Sequence, residues 1–318
     1  MVCRQPIGRQ VLFVALSALA LTACQGGGGG GSSSTASAPA TVTPLASLGN
    51  GAAGTATRGA GFETATLNSA LTASTNDVVT GNNATLTFFT NGSLGLTAPN
   101  IPTNGRTDSV TFSSFTGSTS PLAGAGVTSA VAVSANGVAV QMNRFGASLG
   151  LQYTEFGNWM APACGSCSPT SIGVFATGNP TPTSQMPTTG SAAYAGSAQG
   201  VASTGTVAGM FSGQMAMTAN FATSALTGSI TNIRTAAING TTVSGTMNDI
   251  TLSGGIGANG FNGTATAGTT AGSAISITGA TGTFGGSFYG TSAAEIGGSF
   301  KLTSGATTQV IGSFGAHK

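Results

Sequence analysis

Few side chains in this 318-residue sequence can do chemistry, so each can be weighed in turn. Of the four cysteines, Cys164 and Cys167 stand together in Ala163-Cys-Gly-Ser-Cys-Ser168. That spacing is open to a local disulfide, a redox pair or half of a metal site. A zinc site needs two more ligands, and the single histidine, His317, lies beside the C-terminus. A thioredoxin-like centre needs a βαβ setting, which the neighbouring residues do not suggest. In an oxidising compartment the pair reads most simply as a disulfide pinning a loop. The six carboxylates, Glu63, Asp77, Asp108, Glu155, Asp249 and Glu295, are scattered, and no two are spaced as an acid–base pair. Gly146-Ala-Ser-Leu-Gly150 matches the G-x-S-x-G elbow, but that turn belongs between a strand and a helix of an α/β sheet. Gly255-Ile-Gly-Ala-Asn-Gly260 matches a dinucleotide fingerprint without the following helix, and reads as an inter-strand loop. Met210, Met215 and Met217 could line a soft-metal or haem pocket; beside Phe211 and Phe221 on a β face they read as core filler. The expectation is no catalytic residue, no metal and no cofactor.

Composition narrows the class. Charged residues make up 4% of the chain, against roughly 25% in ordinary soluble domains. Two of the eight basic residues, Arg4 and Arg9, fall in the leader described next, leaving six against six acidic ones. Neutralising phosphates takes clustered Lys and Arg, so no nucleic-acid partner is expected.

Residues 1–23 carry the layout of a secretory signal: Arg4 and Arg9, an apolar run from Val11 to Ala20, then Leu21-Thr-Ala-Cys24. The apolar run falls short of the roughly 20 residues of a membrane span. Leu-Thr-Ala-Cys looks like a bacterial lipobox, which makes Cys24 the lipid-attachment site and the membrane a partner through its acyl chains. Gln25 at the next position points to the outer membrane. Residues 24–61, opening with Gly26 to Gly31, read as a flexible Gly/Ser-rich tether.

Beyond the tether the pattern is all-β. Between 62 and 187 short apolar runs recur, at Ala84–Phe89, Ser109–Phe112, Ser129–Val133, Gly137–Met142, Ala147–Tyr153 and Gly173–Ala176, and Asn136-Gly137 marks a two-residue hairpin. From 188 to 318 about eight strands are expected: residues 206–222, 226–230, 245–252, 261–266, 275–279, two runs around Glu295, and 308–314. Val207, Gly209, Phe211, Gly213, Met215, Met217, Ala219 and Phe221 share one face of the first. Phe284, Gly286 and Phe288 share one face of the run before Glu295, and Ala294, Ile296, Gly298, Phe300 and Leu302 one face of the run after it. Aromatics alternating with glycine suit a narrow barrel filled by its own side chains. Ser287 and Ser299, out of phase with the phenylalanines, are expected to face outward. Glu295 is read as a turn residue satisfying backbone N–H groups.

The wording Gly282-Thr-Phe-Gly-Gly-Ser-Phe-Tyr-Gly-Thr-Ser-Ala-Ala-Glu-Ile-Gly-Gly-Ser-Phe-Lys301, closed by Val310-Ile-Gly-Ser-Phe-Gly-Ala316, resembles the barrel domain of the transferrin-binding protein B family. Gly190-Ser-Ala-Ala-Tyr-Ala-Gly-Ser-Ala-Gln-Gly200 and Asn220-Phe-Ala-Thr-Ser-Ala-Leu-Thr-Gly-Ser-Ile230 extend the likeness. The resemblance implies a β handle-like domain over 62–187 and an eight-stranded antiparallel β-barrel over 188–318. It implies a non-enzymatic, surface-exposed outer-membrane lipoprotein that binds a host iron-carrier protein or an iron- or haem-type solute for uptake. A TonB-dependent receptor and a surface-lipoprotein translocon are the further partners it implies. Members with two handle–barrel lobes differ from this chain, which has room for one. Their binding surface lies on variable loops at one end, so no ligand-binding residue carries over. A structural or adhesive surface lipoprotein without a soluble ligand is the other reading.

Overall fold

Thr, Val and aromatic residues in short alternating runs, broken by Gly, leave this chain little besides strands to form. The computed structural model describes residues 41–48, 62–67, 85–89, 93–97, 109–117, 122, 127–134, 137–161, 171–238, 243–269 and 272–318. Cys24, Cys164 and Cys167 lie outside the described residues. Nine strands come first: β1 (Phe62–Leu67), β2 (Thr85–Phe88), β3 (Leu94–Thr97), β4 (Ser109–Phe112), β5 (Thr116–Gly117), β6 (Thr128–Val133), β7 (Ala139–Arg144), β8 (Thr154–Ala161) and β9 (Ser171–Gly178). Six of them form an antiparallel sheet in the order β1-β9-β8-β7-β6-β5, and β2-β3-β4 form a second. The small sheet lies across one face of the large one, with Leu86, Leu96 and Phe112 packed in one cluster with Met142, Trp159 and Phe175. The β6–β7 hairpin forms where Asn136-Gly137 predicted it. Its closing pair is Ser134 and Val138 (N–H to O, 2.9 Å), which leaves three residues between, with Gly137 at φ 77°. That is the three-residue loop with a left-handed third position, one residue longer than the dipeptide alone suggests. Ala147–Tyr153, read as a strand, instead makes a 3₁₀ turn over Ala147–Leu149 ended by left-handed Gly150.

The second half forms β10 (Ser191–Ser203), β11 (Ala208–Asn220), β12 (Ala225–Ala236), β13 (Val243–Thr246), β14 (Ile250–Gly257), β15 (Gly260–Ala267), β16 (Thr281–Tyr289), β17 (Glu295–Ser304) and β18 (Thr308–His317). All but β13 close into an eight-stranded antiparallel barrel, order β11-β10-β18-β17-β16-β15-β14-β12, sealed by the β11–β12 pairing. The expected count is right and its membership differs. β10, which the sequence reading left outside its strands, is one of the eight. Ile275–Gly279 is not: there the chain loops, and Ile275 and Ile277 still reach the core at 3% and 0% exposure. A buried apolar pair two residues apart signals one covered face, whatever the backbone does. The run 245–252 is likewise split into β13 and β14.

Inside the barrel the alternation holds. Phe211, Met215, Met217, Ala219 and Phe221 are buried, as are Phe284, Phe288, Ile296, Phe300 and Leu302, whereas Val207 sits in an exposed turn. Met210 belongs to the opposite face from Met215 and Met217, and packs toward the large N-terminal sheet. The rings fill space that glycine leaves: a Cβ on Gly286 would stand 2.5 Å from the Phe261 ring, and one on Gly298 2.7 Å from Phe314. Outward positions of β11, β12, β14 and β15 alternate as exposed or half-exposed residues, among them Gln214, Thr218, Thr227, Thr251 and Thr264. Apolar side chains inside and polar ones outside is the reverse of a barrel that meets lipid.

Ser287 and Ser299 do face out of the barrel, yet both are buried, at 7% and 0% exposure. The large N-terminal sheet covers that wall, with β8 and β9 against β17 and β18. Met160, Ile172 and Val174 meet Val201 and Ile311 there. Beside this apolar strip runs a row of buried amides: Asn143 Nδ2 donates to Asn158 Oδ1 (2.7 Å), Asn158 to Gln199, Gln199 Nε2 to Ser313 Oγ (2.7 Å), and Ser313 Oγ to Gly157 O (2.9 Å). Ser313 pairs across strands with Ser299, whose hydroxyl has no partner. Two fully buried serines side by side therefore carry opposite expectations. Ser299→Ala should leave the urea midpoint unchanged or raise it, because it removes an unsatisfied hydroxyl. Ser313→Ala should cost about 1–3 kcal/mol, because Gly157 O and Gln199 Nε2 lose their partner.

Candidate functional site

Antiparallel alternation gives the barrel two ends of different character. One end collects the β11–β12, β14–β15 and β16–β17 turns, the start of β10 and the end of β18. Here the N-terminal sheet is fastened down. Thr181 donates from N–H to Phe288 O (2.8 Å) and from Oγ1 to Gly290 O (2.6 Å), and Asn259 Nδ2 donates to Thr181 O (2.8 Å). Gly290 holds φ 75°, and a Cβ on it would lie 2.5 Å from the Tyr153 ring. The stretch before β1 arrives at the same place. Val42 and Leu45 are buried, and Leu45 N–H donates to Gln152 O (2.6 Å).

Glu295, the first residue of β17, belongs to this end. It does accept from backbone N–H groups as expected, but not from its own turn. Gln152 N–H reaches Oε1 (2.6 Å) and Tyr153 N–H reaches Oε2 (2.9 Å), donors that stand more than 140 residues away in sequence. The carboxyl is 4% exposed, and burial pushes its pKa up against the pull of those two donors. Glu155, the other buried carboxylate, accepts from Arg144 Nε (2.9 Å) and Gly146 N–H (2.7 Å), while the Arg144 guanidinium lies 4.9 Å from the Phe115 ring centre. Both acids therefore hold loops in place and touch no open site. Ser148, in the elbow-like motif, donates to Phe145 O (2.6 Å) inside a 3₁₀ turn. Gly255–Gly260 is the β14–β15 hairpin, with Ala258 at φ 51°.

The other end carries the connections after β10, β12, β15 and β17. The Thr204–Val207 turn and residues 305–307 touch, since Gly205 packs against Thr307, and Gly205, Thr206, Gly305 and Thr307 are exposed. Val207 and Val243 are exposed here at 48% and 44%, large apolar groups with no core to enter. The N-terminal sheet reaches this end too, where Ile238, after β12, packs with Met160, Ile172, Val174, Val201 and Ile311, while the turns bearing Val207 and Val243 stay exposed. The cysteine segment joins β8 to β9 and lies outside the described residues, so neither its pairing nor its place at this end is given. The sequence reading missed the amide row at Gln199 and Ser313. Its one signal was Gln199 and Ser313, polar residues at outward positions of β10 and β18.

Residues 186–318 match the family of C-lobe and N-lobe β-barrels of transferrin-binding protein B. This C-terminal part of the chain is a barrel of the transferrin-binding protein B type. Among solved structures, the fold matches transferrin-binding protein B from Haemophilus parasuis Hp5, a double mutant, at 18% identity and a TM-score of 0.52, covering 80% of this chain and 44% of that one. Isotype 1 transferrin-binding protein B from serogroup B Neisseria meningitidis matches at 19% identity and a TM-score of 0.41, covering 77% and 60%. The N-lobe domain of lactoferrin-binding protein B of Moraxella bovis matches at 18% and 0.34, covering 52% and 76%. The chain thus spans less than half the length of the Haemophilus protein. No curated protein matches the sequence.

Proposed function

We propose that this protein is a non-enzymatic capture lipoprotein of the outer membrane, presented on the cell surface, which holds a host iron-carrier protein or an iron- or haem-type solute for uptake. The observation that carries the reading is the match of residues 186–318 to the C-lobe and N-lobe barrels of transferrin-binding protein B. In this reading residues 1–23 are the leader, 24–61 the tether from lipidated Cys24, 62–187 a handle and 188–318 the barrel. Val42 and Leu45 are buried at the barrel end that holds Glu295, and the exposed turns bearing Val207 and Val243 belong to the opposite end. A TonB-dependent receptor would accept the cargo, and a surface-lipoprotein translocon would deliver the protein.

The test is binding of purified protein to immobilised transferrin, lactoferrin and haem, with Val207→Asp and Val243→Asp as loop variants. Saturable binding to one of them that both variants weaken tenfold or more supports the reading; no binding to any of the three removes it and favours a structural or adhesive coat. The anchor has its own expected result: Cys24→Ala should abolish incorporation of labelled palmitate and release a folded protein from membranes. Cys164 and Cys167, proposed as a disulfide, should resist alkylation until reduced.

A further inference from the structure

Between Leu122 and Leu149 of the handle-like half and the outer wall of β10–β12 lies an open cleft of about 840 Å³. Its floor is built by an irregularity. β11 and β12 pair residue for residue except between Ser212 and Gln214, where β12 carries one extra residue opposite. Such a bulge re-aims the side chains around it. Asn232, within it, takes φ 52°, a left-handed conformation that Asn tolerates better than most residues, and its Nδ2 donates to Gln214 Oε1 (2.8 Å). Arg234 follows on the same wall, and Asp249 enters from the connection between β13 and β14. Both are exposed. Charge is scarce in this chain, and the described acids Glu155 and Glu295 are consumed by internal bonds. The single ion pair among the described residues is Arg144–Glu155. Arg234 and Asp249 thus share one cleft without neutralising each other.

We propose that this cleft binds an extended polypeptide segment bearing one acidic and one basic side chain, contributed by the captured protein. Arg234 offers a planar fork for a carboxylate, and Asp249 accepts from an ammonium or guanidinium. The Gln214 and Asn232 amides each present donor and acceptor, as peptide groups do, and Leu122 and Leu149 cover apolar side chains. A cleft that holds opposite charges apart selects a partner with the reverse order of charges, and like-charge contact rejects others.

The proposal rests on the capture reading, and its test is kept separate from that reading. The full protein is probed on an array of random decapeptides, alongside Arg234→Asp, Asp249→Arg and the double reversal, with far-UV circular dichroism to confirm folding. Wild type should retain peptides carrying both an acid and a base. Each single reversal should weaken them at least tenfold, and the double reversal should recover binding to peptides with the charge order inverted. Equal retention by wild type and both single reversals, or retention indifferent to peptide charge, overturns the proposal. Host-protein binding that survives both reversals, with no charge-selected peptide, sinks the cleft while leaving the capture reading intact.

Discussion

Phe288→Ala should be among the most damaging single truncations in this protein. Its ring is fully buried and sits among three others, with centroids 5.3 Å from Phe261, 5.6 Å from Phe221 and 6.1 Å from Tyr194. Removing it leaves a hole lined by rings from β10, β15 and the β11–β12 turn, which belong to separate segments and cannot all move in to fill it. The cost should be about 3–5 kcal/mol, a large share of the roughly 5–15 kcal/mol by which ordinary domains are stable. Thr264→Ala, on the exposed side of β15, should stay within about 0.5 kcal/mol. Urea unfolding followed by circular dichroism reads both midpoints. A Phe288→Ala midpoint no lower than that of Thr264→Ala would show that the barrel interior is not the core.

The second large effect is at Glu295. Glu295→Ala leaves the N–H groups of Gln152 and Tyr153 without acceptors in a nearly closed seam, at about 1–3 kcal/mol for each orphaned donor, less the relief of removing a buried charge. Amide exchange at Gln152 and Tyr153 should quicken well before the barrel strands respond. The pH dependence has a definite sign. Burial raises the Glu295 pKa, so the folded state holds the proton more tightly than the unfolded chain does. Its contribution is fully present below the ordinary glutamate pKa of about 4.3 and is lost as pH rises through the higher folded value. The wild-type midpoint should therefore rise when pH is lowered from 7 toward that value, and Glu295→Gln should flatten the rise. A wild-type midpoint that falls over that interval, with Glu295→Gln falling less, would mean that the ionised carboxylate is the preferred partner of those two donors.

Much of the barrel was legible because its faces are written with period two. Phe284, Phe288 and Phe300 alternate with Gly and Ser, and strand identity followed from that alone. What escaped the reading did so for physical reasons. β10 is built of Ala, Ser and Gly with single Tyr, Gln and Val residues, so its covered face has almost no hydrophobic contrast with its other face. Ile275 and Ile277 have the contrast without the strand. The burial of Ser287 and Ser299 depends on a second sheet supplied by residues more than a hundred positions upstream, and no local pattern reports that cover. Glu295 was recognisable as a group that accepts from backbone, but the identity of its donors is a property of the docked halves. The cleft residues Arg234 and Asp249 gave no signal at all, since each is a lone charge in a Thr- and Gly-rich stretch and only the bulge in β12 and the β13–β14 connection bring them to one place.

The barrel end that bears the Val207 turn is the proposed capturing surface. Surface plasmon resonance of the purified protein on immobilised transferrin, lactoferrin and haem can compare Val207→Asp at that end with Ala222→Asp in the exposed β11–β12 turn at the opposite end. Saturable binding to one of the three is expected, falling tenfold or more with Val207→Asp and unchanged with Ala222→Asp. Equal loss in both variants, loss confined to Ala222→Asp, or no binding to any of the three would contradict it.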